Sequence, residues 1–334
     1  MYTEKNIDLC GFGNGLMDIL INVDFEDLEK LDIKKGSMIL IDNDTRERVL
    51  NYFKDRKLNY CSGGSAANTI IAFSKLGGRA AYNTVVGKDE IGDYYANEFK
   101  ELNIILNAKV VEDYPTGTCV VFITPDSERT LYTNLAATAL FDQDNIQEEI
   151  ISASKWIYIE GYKFSEESST KAIFKAVELS KKHNTKISLT FSDNFITEQH
   201  YENLYNTVKH SDLVFCNEPE VLSFTKTYNK ETAKQKLSEI VPNFAITLGA
   251  NGSIIKWDGN EYQIPAYQTT AIDTTGAGDI YAGAFLYGII KDNNPVIAGH
   301  LAALAASKIV SQIGPRPNFD LIELYEFVKK NLKL

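Results

Sequence analysis

Residues Asp273–Phe285 read DTTGAGDIYAGAF, a glycine-rich loop that runs into a helix of small residues, among them Ala282, Gly283 and Ala284. A helix N-terminus leaves backbone N–H groups unpaired at the positive end of the macrodipole. Gly276, Ala277 and Gly278 are therefore placed to offer consecutive amides to an anion, and their absent or small side chains let a phosphate approach. Asp279 follows in the first helical turn, so a carboxylate able to accept a proton stands beside a site that would stabilise developing phosphoryl charge. Read alone, the segment also suits a plain glycine-rich turn with Asp279 as a helix-start acid.

A second segment, GGSAANTIIAFSKLGG at Gly63–Gly78, carries paired glycines before and after a predicted helix. Gly63 and Gly64 would let a sugar ring lie against bare backbone, and Asn68 would supply a donor and an acceptor from the first helical turn. Gly77 and Gly78 read as a helix stop. Between and beyond these motifs, short apolar runs alternate with helical patterns. Ile7–Gly11 and Ala81–Val86 read as strands around helices at Ser65–Leu76 and Ile91–Leu102. After residue 150 the rhythm continues with strands Trp156–Ile159, Lys186–Phe191, Leu213–Cys216 and Phe244–Leu248. Helices Thr170–His183, Tyr201–His210 and Pro219–Thr227 fall between them. Such alternation predicts an α/β fold with a mainly parallel sheet covered on both faces. Two stretches break it. Ile19–Val23, Met38–Ile41 and Asn59–Cys61 read as short strands, and residues 116–134 alternate at Thr118, Val120, Phe122 and then Thr130, Tyr132, Asn134. We read one small β-lid assembled from insertions at about 16–62 and 112–136, on a single domain spanning 1–334.

The chain has 334 residues, 44% hydrophobic and 24% charged, enough to bury a full core. Its formal net charge of -11 repels nucleic acid and anionic membrane surfaces, so neither is expected as a partner. A phosphate site in such a protein should be glycine-rich rather than lysine-rich. Cys10, Cys61, Cys119 and Cys216 lack metal or redox spacing, and no stretch approaches a membrane span. The N-terminus MYTEKNIDLCGFGNGLMDIL carries no basic region ahead of an apolar run. A cytoplasmic chain is expected, as a monomer or as a homodimer paired through lid strands.

Together, the two glycine motifs, in this order and separation, resemble the PfkB carbohydrate and nucleoside kinases over nearly the whole chain. The resemblance implies a ribokinase-like three-layer α/β/α sandwich with a β-sheet lid, ATP as donor, and Mg²⁺. It also makes Asp279 the catalytic base and Gly276–Gly278 the anion hole. It assigns Asn217 and Glu220, in NEPE, to the phosphates and the water shell of the metal, whereas local chemistry equally allows a turn residue and a helix-start acid. Thr247, Gly249 and Gly252, in TLGANG, and Thr275 fall on the nucleotide side, although Gly249–Gly252 also reads as a hairpin turn. Asp273, Ser311 and Gly314 lie where relatives hold a monovalent cation such as K⁺.

For the acceptor, Asp18 in GNGLMD can take hydrogen bonds from two adjacent hydroxyls, as on a ribose 2′,3′-diol, with Asn14 and Asn68 completing the clamp. The chain looks most similar to adenosine kinases and their bacterial relatives. On that likeness Leu16, Leu135 and Ala137 wall a base pocket, and Arg129 reaches the transferring phosphate. Where many adenosine kinases carry two aromatics, this chain has Gly161-Tyr162-Lys163, which leaves Tyr162 as the stacking platform. Guanosine, inosine or a plain sugar therefore stays open as acceptor. A dinucleotide-binding oxidoreductase is disfavoured because Leu16 replaces the third glycine after Gly11 and Gly13. A non-catalytic nucleoside sensor is disfavoured by the intact Asp279 and Gly276–Gly278, and no Walker motif occurs.

Overall fold

Along the strand Ser154–Glu160, Trp156 and Tyr158 pack into one buried cluster while Ile157 and Ile159 pack into another. That period-two alternation marks a strand covered on both faces. The protein is described here by a computed structural model covering residues 5–332. Its strands are β1 Ile7–Phe12, β2 Leu16–Asn22, β3 Met38–Leu40, β4 Asn59–Gly63, β5 Ala80–Gly87, β6 Ile105–Val111 and β7 Gly117–Ile123. They continue as β8 Arg129–Asn134, β9 Ser154–Glu160, β10 Lys186–Thr190, β11 Leu213–Asn217, β12 Asn243–Thr247, β13 Ser253–Trp257 and β14 Asn260–Ile264.

Nine strands form the large sheet in the order β14-β13-β12-β11-β10-β9-β1-β5-β6. From β6 to β12 every neighbouring pair is parallel, and β13 and β14 close the other edge as an antiparallel hairpin. One face carries the helices Ser65–Lys75, Ala277–Asp292 and Pro295–Ile309 in a common core. The other face is covered by Glu167–Lys182 and its neighbours. The small-residue character of 277–292 now has a cause. A Cβ on Gly283 would lie 2.5 Å from the Thr69 carbonyl oxygen, so glycine lets this helix press against 65–75.

A second sheet has five strands in the order β3-β8-β7-β2-β4. β7 pairs parallel with β2 and antiparallel with β8, so strands from two distant segments interleave and neither segment makes the sheet alone. One face packs Ile19, Ile21, Val120 and Phe122 on Leu28, Val49 and Phe53. The opposite face turns Leu16, Cys119, Val121 and Leu131 towards the large sheet.

The expected helices and strands are present with ends moved by one to three residues, as at Glu90–Glu101 and Glu218–Thr225. Helices at Phe25–Lys30 and Asn43–Tyr52 stand where only short strands were expected. Their caps, Asp24 and Asp42, are ordinary helix-start signals. β6 went unread because it is a half-exposed edge strand without apolar alternation, held by its ladder to β5. All four cysteines are free, and among the described residues no helix is long and apolar enough to cross a membrane.

Candidate active site

Between the two sheets lies a cleft of about 1130 Å³. At its centre Gly276, with φ of +77°, turns the chain into the helix 277–292. Asp279 occupies the first turn, half-buried, with Oδ1 accepting from Ser65 Oγ at 2.7 Å and Oδ2 from Asn68 Nδ2 at 2.8 Å. Burial pushes its carboxyl above the usual range, against the pull of those two hydrogen bonds and of Arg129 and Arg316. Thr69 Oγ1 donates to the Asp279 carbonyl at 3.1 Å, which further ties the two helix starts together.

The anion mouth differs in one respect from the sequence expectation. The Ala277 amide is spent on the Thr274 carbonyl at 3.2 Å, because the turn closes on itself one residue before the helix begins. The amides of Gly276, Gly278 and Asp279 have no partner among the described residues, and Gly278 is exposed to the cleft. The donors available to a phosphate are thus shifted towards Gly278 and Asp279.

Asp18 enters from β2 and is 6% exposed. Burial raises its carboxyl to about 7, with Arg316 pulling down and Asp279 pushing up. Gly63 does not line the cleft. A Cβ there would sit 2.1 Å from Asp18 Oδ1, so the glycine makes room for the carboxylate rather than for a sugar. Gly64 does line it, at a φ of +97°. Asn68 also lines the cleft, and its amide bridges two charged groups, with Nδ2 donating to Asp279 and Oδ1 accepting from Arg316, so it orients the acid.

Asn14 is held from three sides. Its amide N–H donates to Glu160 Oε1 at 2.7 Å, and its Oδ1 accepts from Lys163 Nζ at 2.9 Å and Thr138 Oγ1 at 3.2 Å. Lysine can only donate, so the Asn14 carbonyl must face it and the NH₂ is left for the cleft. Lys163 is buried above the Phe141 ring, with its pKa lowered by that burial, while burial raises Glu160. Lys163 therefore does not enter the base pocket.

Leu16, Leu131 and Leu135 line the cleft with apolar surface, and Tyr162 lines it too, its hydroxyl donating to the Ser192 carbonyl at 3.3 Å. Ala137 is not part of that wall. It is fully buried in the core with Phe12, Val85 and Phe141, because the short helix Ala136–Leu140 turns it inward. Arg129, at the start of β8, faces the cleft, and its side chain makes no hydrogen bond or ion pair among the described residues.

At the far end, Asn217 caps its helix. Asn217 Oδ1 accepts from the Glu220 amide, while the Glu220 carboxylate accepts from Asn217 N and Nδ2, each at 2.9 Å. Burial lifts Glu220 to about 7. Both Glu220 oxygens are thus occupied in holding Asn217, and among the described residues no cluster of three His, Cys, Asp or Glu could hold a metal ion. Thr247, Gly249 and Gly252 line the cleft from the β12–β13 turn, so this segment is both a hairpin and a wall. Thr275 lines it too, with its amide and hydroxyl donating to Asp273 Oδ1.

The expected monovalent-cation donors Asp273, Ser311 and Gly314 are held by local hydrogen bonds. Asp273 also accepts from the Gly314 amide at 2.8 Å, and Ser311 Oγ donates to Lys308 O in its own turn. These three hydrogen bonds to the Asp273 carboxylate pin the loop before the helix.

Sequence reasoning missed Ser65, Glu160, Arg316 and Glu98. Ser65 follows the Gly63–Gly64 pair directly, and Arg316 sits between two prolines in GPRPN, which marks a rigid loop. Glu160 and Glu98 leave no comparable mark.

The raised Asp18 carboxyl has a consequence for stability. A carboxyl whose folded pKa exceeds its unfolded one binds its proton more tightly when folded. Folded stability is then full below pH 4 and is lost as pH rises through 7. Asp18→Asn should show nearly no gain in Tm over wild type at pH 4, and a gain that grows to pH 7 and levels off above it. From a shift of 3.8 to about 7, the gain is on the order of 4 kcal/mol. Thermal unfolding across this range checks it, and a flat difference would show that the carboxyl titrates normally.

Residues 27–320 match the family model described as pfkB family carbohydrate kinase, and the chain belongs to that family. It is a kinase with the ribokinase-like α/β fold. A probable sugar kinase from Rhizobium etli aligns with a TM-score of 0.92 at 30% identity, over 98% of this chain and 99% of the other. An adenosine kinase from Sinorhizobium meliloti aligns with a TM-score of 0.91 at 30% identity, over 96% and 99%. The adenosine kinase of Saccharomyces cerevisiae is 25% identical over 92% of this chain and 96% of its own.

Proposed function

We propose that this kinase transfers the γ-phosphoryl group of ATP to the 5′-hydroxyl of a nucleoside, adenosine before others, giving AMP and ADP. The observation that carries the reading is the Asp279 carboxylate, held by Ser65 and Asn68 at a helix mouth whose Gly278 and Asp279 amides are free. Asp18 accepts the 2′- and 3′-hydroxyls, which places the 5′-hydroxyl towards Asp279, and Asp279 takes its proton as the oxygen attacks phosphorus. The free amides and Arg129 neutralise the transferring group. The wall of Leu16, Leu131 and Leu135 with Tyr162 takes an apolar, planar base, a surface a plain sugar would leave uncovered.

The nucleotide lies along Asn217, Thr247, Gly249 and Gly252. Mg²⁺ bound with ATP, its water shell ordered by Asn217 and Glu220, supplies positive charge against the phosphates. The small sheet, built from two insertions, acts as the lid that excludes water over the acceptor, and purine salvage in the cytoplasm is the setting this activity suits. A sugar acceptor is the second reading, favoured by the polar cleft lining at Asn14 and Glu160.

A panel of nucleosides, pentoses and hexoses with ATP and Mg²⁺, read by ADP formation, tests both. Adenosine should give the highest kcat/KM. A hexose or pentose preferred by tenfold or more would move the assignment to sugars, and no transfer to any acceptor would end it.

A further inference from the structure

Arg316 lies outside the cleft lining, in the loop after the helix 295–309, yet three segments meet on its guanidinium. Nε donates to Glu98 Oε1 at 3.1 Å from the helix Glu90–Glu101, and Nη2 donates to Ser62 Oγ at 2.5 Å in β4. Nη1 donates to Asn68 Oδ1 on the helix 65–75. The loop itself is fixed by Gln312 Nε2 on the Arg316 carbonyl at 2.6 Å and by Lys75 Nζ on the Pro317 carbonyl at 3.2 Å.

The chemistry of these groups admits one arrangement. A guanidinium has donors only, so the end of the Asn68 amide facing Arg316 must be its carbonyl. The other end, the NH₂, is then turned to Asp279, 2.8 Å from Oδ2. An ionised carboxylate can only accept, so the amide matches it in this orientation and not in the reverse one. Without the cation, Asn68 is free to rotate and bring its oxygen towards Asp279, a contact favourable only when Asp279 is protonated and unable to act as a base. We propose that Arg316 is a positioning residue which, through the orientation of Asn68, keeps Asp279 in its proton-accepting state.

Asp279 also feels other groups. Arg129 reaches towards it from β8, Asp18 from β2, Glu160 and Tyr158 from β9, Tyr162 from the turn after β9, and Glu220 from its helix. A direct charge effect of Arg316 must therefore be separated from the relay through Asn68. The inference rests on Asp279 being the base of the proposed reaction, but its test does not require turnover.

The Asp279 carboxyl is titrated by ¹³C NMR in protein labelled at aspartate carboxyls, its signal assigned by loss in Asp279→Asn. Arg316→Gln should raise the midpoint by about one pH unit, and Arg316→Lys should restore most of it. In an Asn68→Ala background the same Arg316→Gln change should move the midpoint by less than about a third of that, the non-additivity expected of groups acting in series. Equal shifts in both backgrounds would reduce Arg316 to a distant charge, and no shift in either would remove it altogether. If Arg316→Gln fails to fold, Arg316→Lys is compared in the two backgrounds, with the smaller shift of a displaced donor decided the same way. For an active enzyme, the acid limb of kcat in Arg316→Gln should move up with the NMR midpoint. Absence of transfer by the wild type would end the kinase assignment for these acceptors, while the titration would still decide the relay.

Discussion

Asp279→Asn should lower kcat by about a thousandfold, within the 10²–10⁴ range of a lost general base, while leaving KM for acceptor and ATP within about threefold. The asparagine is the same size and sits in the same first turn, so the helix mouth and its amides are kept. What changes is that one of the two contacts, from Ser65 or from Asn68, loses its acceptor oxygen. Because burial already holds the carboxyl above its usual range, removing the charge should not destabilise the fold, and Tm should be unchanged or higher at pH 8. Steady-state kinetics with a thermal melt on the same preparation check both halves. Turnover near that of wild type would remove Asp279 from the chemistry.

The second large effect is expected at Gly64. Its φ of +97° is one that a side chain rarely adopts, and an added Cβ would come within 2.1 Å of the Asn14 carbonyl oxygen. That oxygen cannot move aside. Glu160 accepts from both the Asn14 amide, at 2.7 Å, and the Ala66 amide, at 2.8 Å, clamping the loop to the helix start. Gly64→Ala should therefore cost roughly 2–5 kcal/mol, adding backbone strain to overpacking. It should also cut kcat, since Ser65 and Asn68 would shift off Asp279. Gly77→Ala is the control, at a φ of +95° with nothing within 4 Å, and should cost only the strain, about 1 kcal/mol. Equal losses of stability in the two variants would show that the contact with Asn14 is unimportant.

The parts of this site legible in the sequence were those whose chemistry is written locally. Gly276, Gly278 and Asp279 are neighbours in the chain, and a glycine-rich helix start with an acid after it means much the same wherever it occurs. The second, five-stranded sheet was legible as a break in the βα rhythm, although the helices that back it were not separated from the strands. What stayed hidden depends on partners far apart in sequence. Arg316 meets Asn68 across 248 positions and Lys163 meets Asn14 across 149. No local pattern records that these side chains share a hydrogen bond, and each residue type is common on surfaces. Asn68 was noticed for its donor and acceptor ends, but the sequence could not reveal that they meet Asp279 and Arg316. Ala137 was misplaced because apolar residues on a short helix serve a pocket or a core equally well, and only the turn of 136–140 decides between them.

The empty side of Gly63 has a further meaning. Leu16 pairs with Gly63 across β2 and β4, and the volume a side chain would fill at 63 is taken by the Asp18 carboxylate. An acid at 18 and a side chain at 63 compete for one volume, so any residue larger than glycine at 63 would force the Asp18 carboxylate out of its present place. A chain without the acid would be free to fill that gap.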